Sequence, residues 1–137
     1  MEQLPAILLV DDDDTTNFLN EHLLRRLGVA REVRIVNDGQ QALDLLTQPV
    51  PYAPSLLLLD VKMPVMDGIE FLEAYQQLPA RQQAATVVVV LTTSMAAADL
   101  VRINELPIAG LVSKPLSRDK VDTLLRLHFG RALPAGE

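Results

Sequence analysis

The 137-residue sequence contains no cysteine, which excludes a disulfide framework, a thiolate metal centre, an iron–sulfur cluster and a cysteine nucleophile. Basic charge is scarce as well: 12 Lys and Arg stand against 18 Asp and Glu, leaving −6 at pH 7 and a pI near 4.8. A surface of that sign repels phosphate backbones, so no nucleic-acid partner is expected. Long hydrophobic runs are also missing. Ala6–Val10, Leu56–Leu59 and Val87–Leu91 are short, far below the roughly 20 residues that span a bilayer, so no membrane partner is expected either. Met1–Pro5 carries Glu2 and no basic side chain, unlike a signal peptide. There is no internal repeat or low-complexity tract. With 49% hydrophobic and 22% charged residues, the chain reads as one soluble, cytoplasmic domain over residues 1–130, with 131–137 as a frayed tail.

What is present is an alternation of short apolar runs with helix-period segments. Ala6–Val10 ends abruptly in Asp11–Asp14, as a buried strand running into a loop would. Leu19, Leu23 and Leu27 then recur every fourth residue up to Gly28, predicting an amphipathic helix over Thr15–Leu27. Glu32–Val36 alternates Val33 and Ile35 with Arg34, like a strand near a sheet edge. A turn at Asn37–Gly39 leads to a short helix closed by Pro49. Leu56–Leu59 is a second buried strand, ending on Asp60, and Ile69, Leu72 and Tyr75 mark a third helix, ended before Pro79. The valines of Thr86–Leu91 favour a strand because they are β-branched. A fourth helix over Ala97–Leu106, a brief strand at Gly110–Ser113 and a last helix with Val121, Leu124, Leu125 and His128 on one face complete the pattern.

Five strands alternating with five helices predict an α/β fold, a doubly wound five-stranded parallel sheet covered on both faces. In such sheets ligands sit beyond the carboxyl ends of the strands, where strand order reverses. Those ends here carry Asp11 and Asp12, Asp60, Thr92 and Thr93, and Lys114. Carboxylates gathered at one place repel one another unless a proton or a divalent cation intervenes. Hard oxygen ligands with room for water and phosphate suit Mg2+. Asp60 as nucleophile, Asp11 and Asp12 at the metal, and Thr92 and Lys114 on phosphoryl oxygens make a complete set for transient phosphorylation of a carboxylate.

These residues resemble the receiver domain of bacterial two-component response regulators, of the CheY-like kind, over about residues 4–130. The most specific segment is Asp60-Val61-Lys62-Met63-Pro64-Val65-Met66-Asp67-Gly68, which matches D-x-x-M-P-x-M-D-G around that family's phosphoacceptor. Ile7–Asp12 is similar to its first strand and acidic pair, Val89–Thr93 to its fourth strand with a switch threonine, and Val112–Pro115 to its lysine–proline end. The resemblance implies a flavodoxin-like sheet of order 2-1-3-4-5 and a phosphoryl group received on Asp60 from a histidine kinase or phosphotransfer protein. It further implies a signalling receiver, not an enzyme with its own product, whose output is contact with a downstream protein. It also implies that the main-chain carbonyl of Lys62 joins Asp11, Asp12 and Asp60 as a magnesium ligand, and that the Lys114–Pro115 bond is cis.

Other readings compete at single positions. The aspartate run is four long, so the metal pair is Asp11–Asp12, which directly follows the strand, or Asp12–Asp13. Asp13 and Asp14 also suit a helix start, and Asp67 suits the cap of the next helix. Thr93 and Ser94 suit the satisfaction of backbone donors before the fourth helix. Leu111 stands where many relatives carry Tyr or Phe, Thr93 where a smaller residue is usual, and Pro107 where a glycine is common. His22 and His128 have no partner motif. The opening Asp11-Asp12-Asp13-Asp14-Thr15 also fits the D-x-D-x-T of haloacid-dehalogenase-like phosphatases, with Asp11 as nucleophile and Asp13 as acid/base. That family needs a further acidic strand end after its lysine, and here only Asp119, Asp122 and Glu137 follow. A flavin binder would need a phosphate loop where the aspartates stand.

Overall fold

The computed structural model describes residues 2–50 and 52–134. Its strands are β1 (Leu4–Val10), β2 (Ala30–Val36), β3 (Leu56–Asp60), β4 (Val87–Thr92) and β5 (Gly110–Ser113). Its helices are α1 (Asp14–Leu27), α2 (Gly39–Leu46), α3 (Gly68–Tyr75), α4 (Ala80–Ala84), α5 (Ala97–Asn104) and α6 (Arg118–Phe129). The strands form one parallel sheet in the order β2-β1-β3-β4-β5, the flavodoxin-like doubly wound arrangement expected from the sequence. Strand order reverses on either side of β1, which leaves a crevice between the ends of β1 and β3.

The period of two along each central strand divides the core in two. Ile7, Leu9, Leu56, Leu58, Val89 and Leu91 face one way and pack with Leu24 of α1 and Leu124 and Leu125 of α6. Leu8, Val10, Leu57, Leu59, Val88 and Val90 face the other way and meet Ala42, Phe71, Leu72, Tyr75 and Ile103. Leu8, Leu57 and Leu59 have no solvent exposure. Truncating any of them to alanine is expected to cost about 2–5 kcal/mol. The three central strands thus form a rigid platform whose carboxyl ends carry the polar residues.

Three expectations are corrected. Six helices are present among the described residues, where five were predicted. The extra one, α4, is a five-residue polar turn, Ala-Arg-Gln-Gln-Ala, that starts after Pro79 and buries no side chain, so it leaves no hydrophobic period to read. Of the leucine repeat in α1, Leu23 and Leu27 pack against the core beside the buried Asn17, Asn20 and Leu24, while Leu19 is largely exposed, so the buried stripe is shifted from the repeat towards Leu24. The C-terminal segment is not frayed where it is described. Leu133 is buried, its N–H donates to Asp122 at 2.8 Å, and Arg131 pairs with Glu2. Residues 135–137 of the expected tail, and Met1, lie outside the described residues. Smaller differences concern strand ends: β1 and β2 each begin two residues earlier than expected, and β4 runs to Thr92. Among the described residues no helix is long and apolar enough to cross a membrane.

Candidate functional site

Asp11 follows β1, Asp60 ends β3, Thr92 ends β4 and Lys114 follows β5, so four neighbouring strands deliver four polar groups to one crevice. They line a cavity of about 310 Å³ together with Asp12 and Lys62. One carboxylate oxygen each from Asp11, Asp12 and Asp60 lies within 4.8 Å of the others. The Lys114 ammonium, reaching in from the far side, donates to Asp11 at 2.8 Å and to Asp60 at 3.2 Å. The Lys114–Pro115 bond is cis.

The surroundings fix these groups from beneath. The Asp11 carboxylate accepts the Asp13 N–H at 2.9 Å through its other oxygen. The Asp11 main-chain carbonyl accepts from the side-chain amides of Asn17, at 2.7 Å, and Asn37, at 3.4 Å. The loop after Asp60 folds back tightly. Gly68 N–H donates to the Val61 carbonyl at 2.7 Å, and a Cβ on Gly68 would lie 2.5 Å from the Asp60 carbonyl oxygen, so only glycine fits. Asp67 then caps α3 in a reciprocal capping box with Glu70, as expected.

The electrostatics follow from burial and from the crowding of like charges. Burial, and secondly the Asp11 charge, push the Asp60 carboxyl above its ordinary value, with Lys114 working in the opposite direction. Burial disfavours the Lys114 ammonium, but the hydrogen bonds and charges of Asp11 and Asp60 outweigh it and hold its pKa above the usual lysine value. The donor set is all hard oxygen, partly dry and open to the cavity, which fits a divalent cation of the magnesium class.

Asp13, the other candidate for the acidic pair, is differently engaged. It is the N-cap of α1 and accepts from Thr15 N–H at 3.0 Å and Thr16 Oγ1 at 2.9 Å, although it still borders the cavity. These bonds hold its carboxyl below the usual aspartate value. Thr92 lines the cavity, but its hydroxyl donates to the Ser94 carbonyl at 3.1 Å. Thr93 and Ser94 do not cap the next helix, whose N-cap is Ala96 with no side-chain bond. Asn17 and Asn37 are the participants that sequence reading overlooked. Two asparagines at positions 17 and 20, on the face that carries Leu24, were the available signal, since an amide on a buried helix face needs a partner.

Residues 7–126 match the family model of the response regulator receiver domain. The probable chemotaxis protein CheY of Rhizobium etli is 30% identical over 124 residues, covering 90% of this chain and 92% of its own. The transcriptional regulatory protein CpxR of Escherichia coli is 40% identical over 126 residues, but the match covers 92% of this chain and only 50% of that one. Among solved structures, the Mn2+-bound form of response regulator Rcp1, a protein of Synechocystis, superposes with a TM-score of 0.75 at 30% identity, covering 96% of this chain and 99% of that one. Strand order, strand-end chemistry and these likenesses agree: the chain belongs to the response regulator receiver family, in its CheY-like form.

Proposed function

We propose that this receiver takes a phosphoryl group from a histidine kinase or phosphotransfer protein onto Asp60 in a magnesium-dependent step, and later loses it by hydrolysis. The observation that carries this reading is the cluster itself, with three carboxylates within 4.8 Å and Lys114 bonded to two of them. In the transfer, an Asp60 carboxylate oxygen forms a bond to phosphorus as the phosphorus–nitrogen bond of the donor histidine breaks, and the imidazole regains a proton. Lys114 neutralises charge on the phosphoryl oxygens, and Thr92 turns its hydroxyl from Ser94 towards them. Asp11, Asp12 and Asp60, with the main-chain carbonyl of Lys62, would hold the Mg2+. Its chemistry is the screening of the three carboxylates from the incoming phosphate. The Mn2+ in the Rcp1 structure supports a divalent cation here. Reversible labelling of a carboxylate leaves no stable product, so the role is signalling through contact with a downstream protein, in the cytoplasm.

The phosphatase alternative, with Asp11 as nucleophile, is disfavoured because it needs Asp13 as acid/base, and Asp13 is engaged as a helix cap. The test is intact-mass spectrometry after incubation with acetyl phosphate and magnesium, followed by mapping. One phosphoryl group on Asp60, absent from Asp60→Asn and from samples treated with chelator, is the expected result. A label on Asp11 that survives Asp60→Asn would overturn it in favour of the phosphatase.

A further inference from the structure

Lys120 lies in the first turn of α6, three residues after the N-cap Ser117, whose hydroxyl accepts the Lys120 N–H at 3.3 Å. Glu or Gln at that place completes a capping box, as Glu70 does behind Asp67 at the start of α3. A cation there opposes the helix dipole. The chain holds only three lysines, Lys62, Lys114 and Lys120, among 12 basic residues, yet it sets one of them at this unfavourable site. The ammonium has three donors, and all three leave the helix. They reach the Ser113 carbonyl at 2.7 Å, the Pro115 carbonyl at 2.9 Å and the Ser113 hydroxyl at 3.2 Å.

The two carbonyls belong to the residues on either side of Lys114. On the opposite side, the Lys114 N–H donates to the Thr92 carbonyl of β4 at 2.8 Å. β5 is the outermost strand on this side, so no further strand steadies its outer edge. We propose that Lys120 is a positioning residue for Lys114: by gripping the carbonyls of residues 113 and 115 it fixes the backbone from which the Lys114 side chain enters the acidic cluster. The functional consequence rests on the reading of Lys114 as the group that meets the phosphoryl oxygens. The positioning itself does not. Sequence and geometry agree on a residue that forgoes the local helix optimum to hold the neighbouring strand end.

The test compares the full chain with Lys120→Gln, which supplies a capping-box residue and removes the ammonium, and with Lys120→Arg, which retains a cation with several donors. The first readout is the Lys114 side-chain methylene signal in lysine-labelled protein, at fixed pH without metal. With three lysines in the chain, it is assigned by its loss in Lys114→Arg. The second is the initial rate of labelling by acetyl phosphate at saturating magnesium, with cation affinity and melting temperature measured alongside. Lys120→Gln is expected to move the Lys114 signal towards that of a free lysine and to slow labelling about tenfold, with cation affinity within about twofold of wild type. Its melting temperature should not fall, and Lys120→Arg should recover most of the rate. An unmoved Lys114 signal in Lys120→Gln overturns the proposal whatever the labelling does. Slow labelling with a lowered melting temperature that Lys120→Arg does not restore also overturns it. A wild-type chain that takes no label, but whose Lys114 signal shifts in Lys120→Gln, removes the phosphoacceptor reading and leaves the positioning established.

Discussion

The Lys114 ammonium sits closer to Asp11 than to Asp60, at 2.8 Å against 3.2 Å, although Asp11 lies 103 residues away in sequence. The Asp11 side chain is only 7% exposed, so this bond supplies the counter-charge that an almost dry carboxylate requires. Lys114→Met should therefore destabilise the metal-free protein by about 1–3 kcal/mol, because it leaves a carboxylate without its partner. The same change removes a cation that competes for the carboxylate oxygens, so divalent-cation binding should tighten. Urea unfolding with chelator and calorimetric titration with Mn2+ measure the two effects. Unchanged cation affinity would show that ammonium and metal use different oxygens.

Asp60 presents the opposite balance. Burial and the Asp11 charge raise its carboxyl above the unfolded value. A raised carboxyl binds more protons in the folded state, so stability falls as pH climbs from the unfolded value, about 3.9, through the folded one. At neutral pH the ionised Asp60 is thus a stability cost, held in place by packing elsewhere. Asp60→Asn should raise the melting temperature in metal-free buffer at pH 7 and should raise it less at pH 4. Equal gains at both pH values would attribute the effect to packing and not to charge.

Much of this was legible in the sequence because the relevant signals are local. Leu56–Asp60 declares a buried strand with a carboxylate at its end, and the segment Asp60–Gly68 that follows it carries the family's pattern. The strand-end residues Asp11, Asp60 and Lys114 were placed together by topology alone. What stayed hidden depended on tertiary partners. The polar α4 has no hydrophobic period. The leucine spacing in α1 suggested a face containing Leu19, but the first turns of that helix lie under the Asp11 loop and present Asn17 to its carbonyl. Leu133 has nothing nearby in sequence to announce that it docks against α6. The bonds by which Asp13 caps α1, to Thr15 N–H and Thr16 Oγ1, are likewise displayed only in three dimensions, although the helix-start role itself was readable from the sequence.

The loop after Asp60 contains a second local tension. Val65 has φ of 68°, and the Met66 N–H donates to the Pro64 carbonyl at 2.7 Å, which makes a γ-turn of the strained hand. A β-branched residue is poorly suited to this backbone region. The residue is 79% exposed, so packing does not repay the strain. Val65→Gly should therefore stabilise the fold by about 1 kcal/mol, net of the added freedom of the unfolded chain. Val65→Ala keeps the Cβ and should gain less. Urea unfolding distinguishes the three proteins, and a Val65→Gly variant less stable than wild type would mean that the exposed valine makes contacts worth more than the strain.

The C-terminal segment is tied down by Asp122 of α6, whose two oxygens have separate tasks: one accepts from Arg126 at 2.8 Å and the other from the Leu133 N–H at 2.8 Å. These bonds, that with Arg126 first, hold the Asp122 carboxyl below its usual value. The sign follows directly. A depressed carboxyl contributes its stabilisation above the unfolded value of about 3.9 and loses it as pH falls through the folded one. Leu133 is buried and follows Arg131, which pairs with Glu2, so freeing the Leu133 amide loosens the whole segment from α6. Hydrogen exchange at the Leu133 amide, referred to an unstructured amide at the same pH, should lose protection below about pH 4 while the amides of β1 and β3 keep theirs. Asp122→Asn, which can still accept a hydrogen bond but carries no charge, should make protection weaker and independent of pH. Simultaneous loss of protection in β1 and β3 would show instead that acid unfolds the domain as one unit.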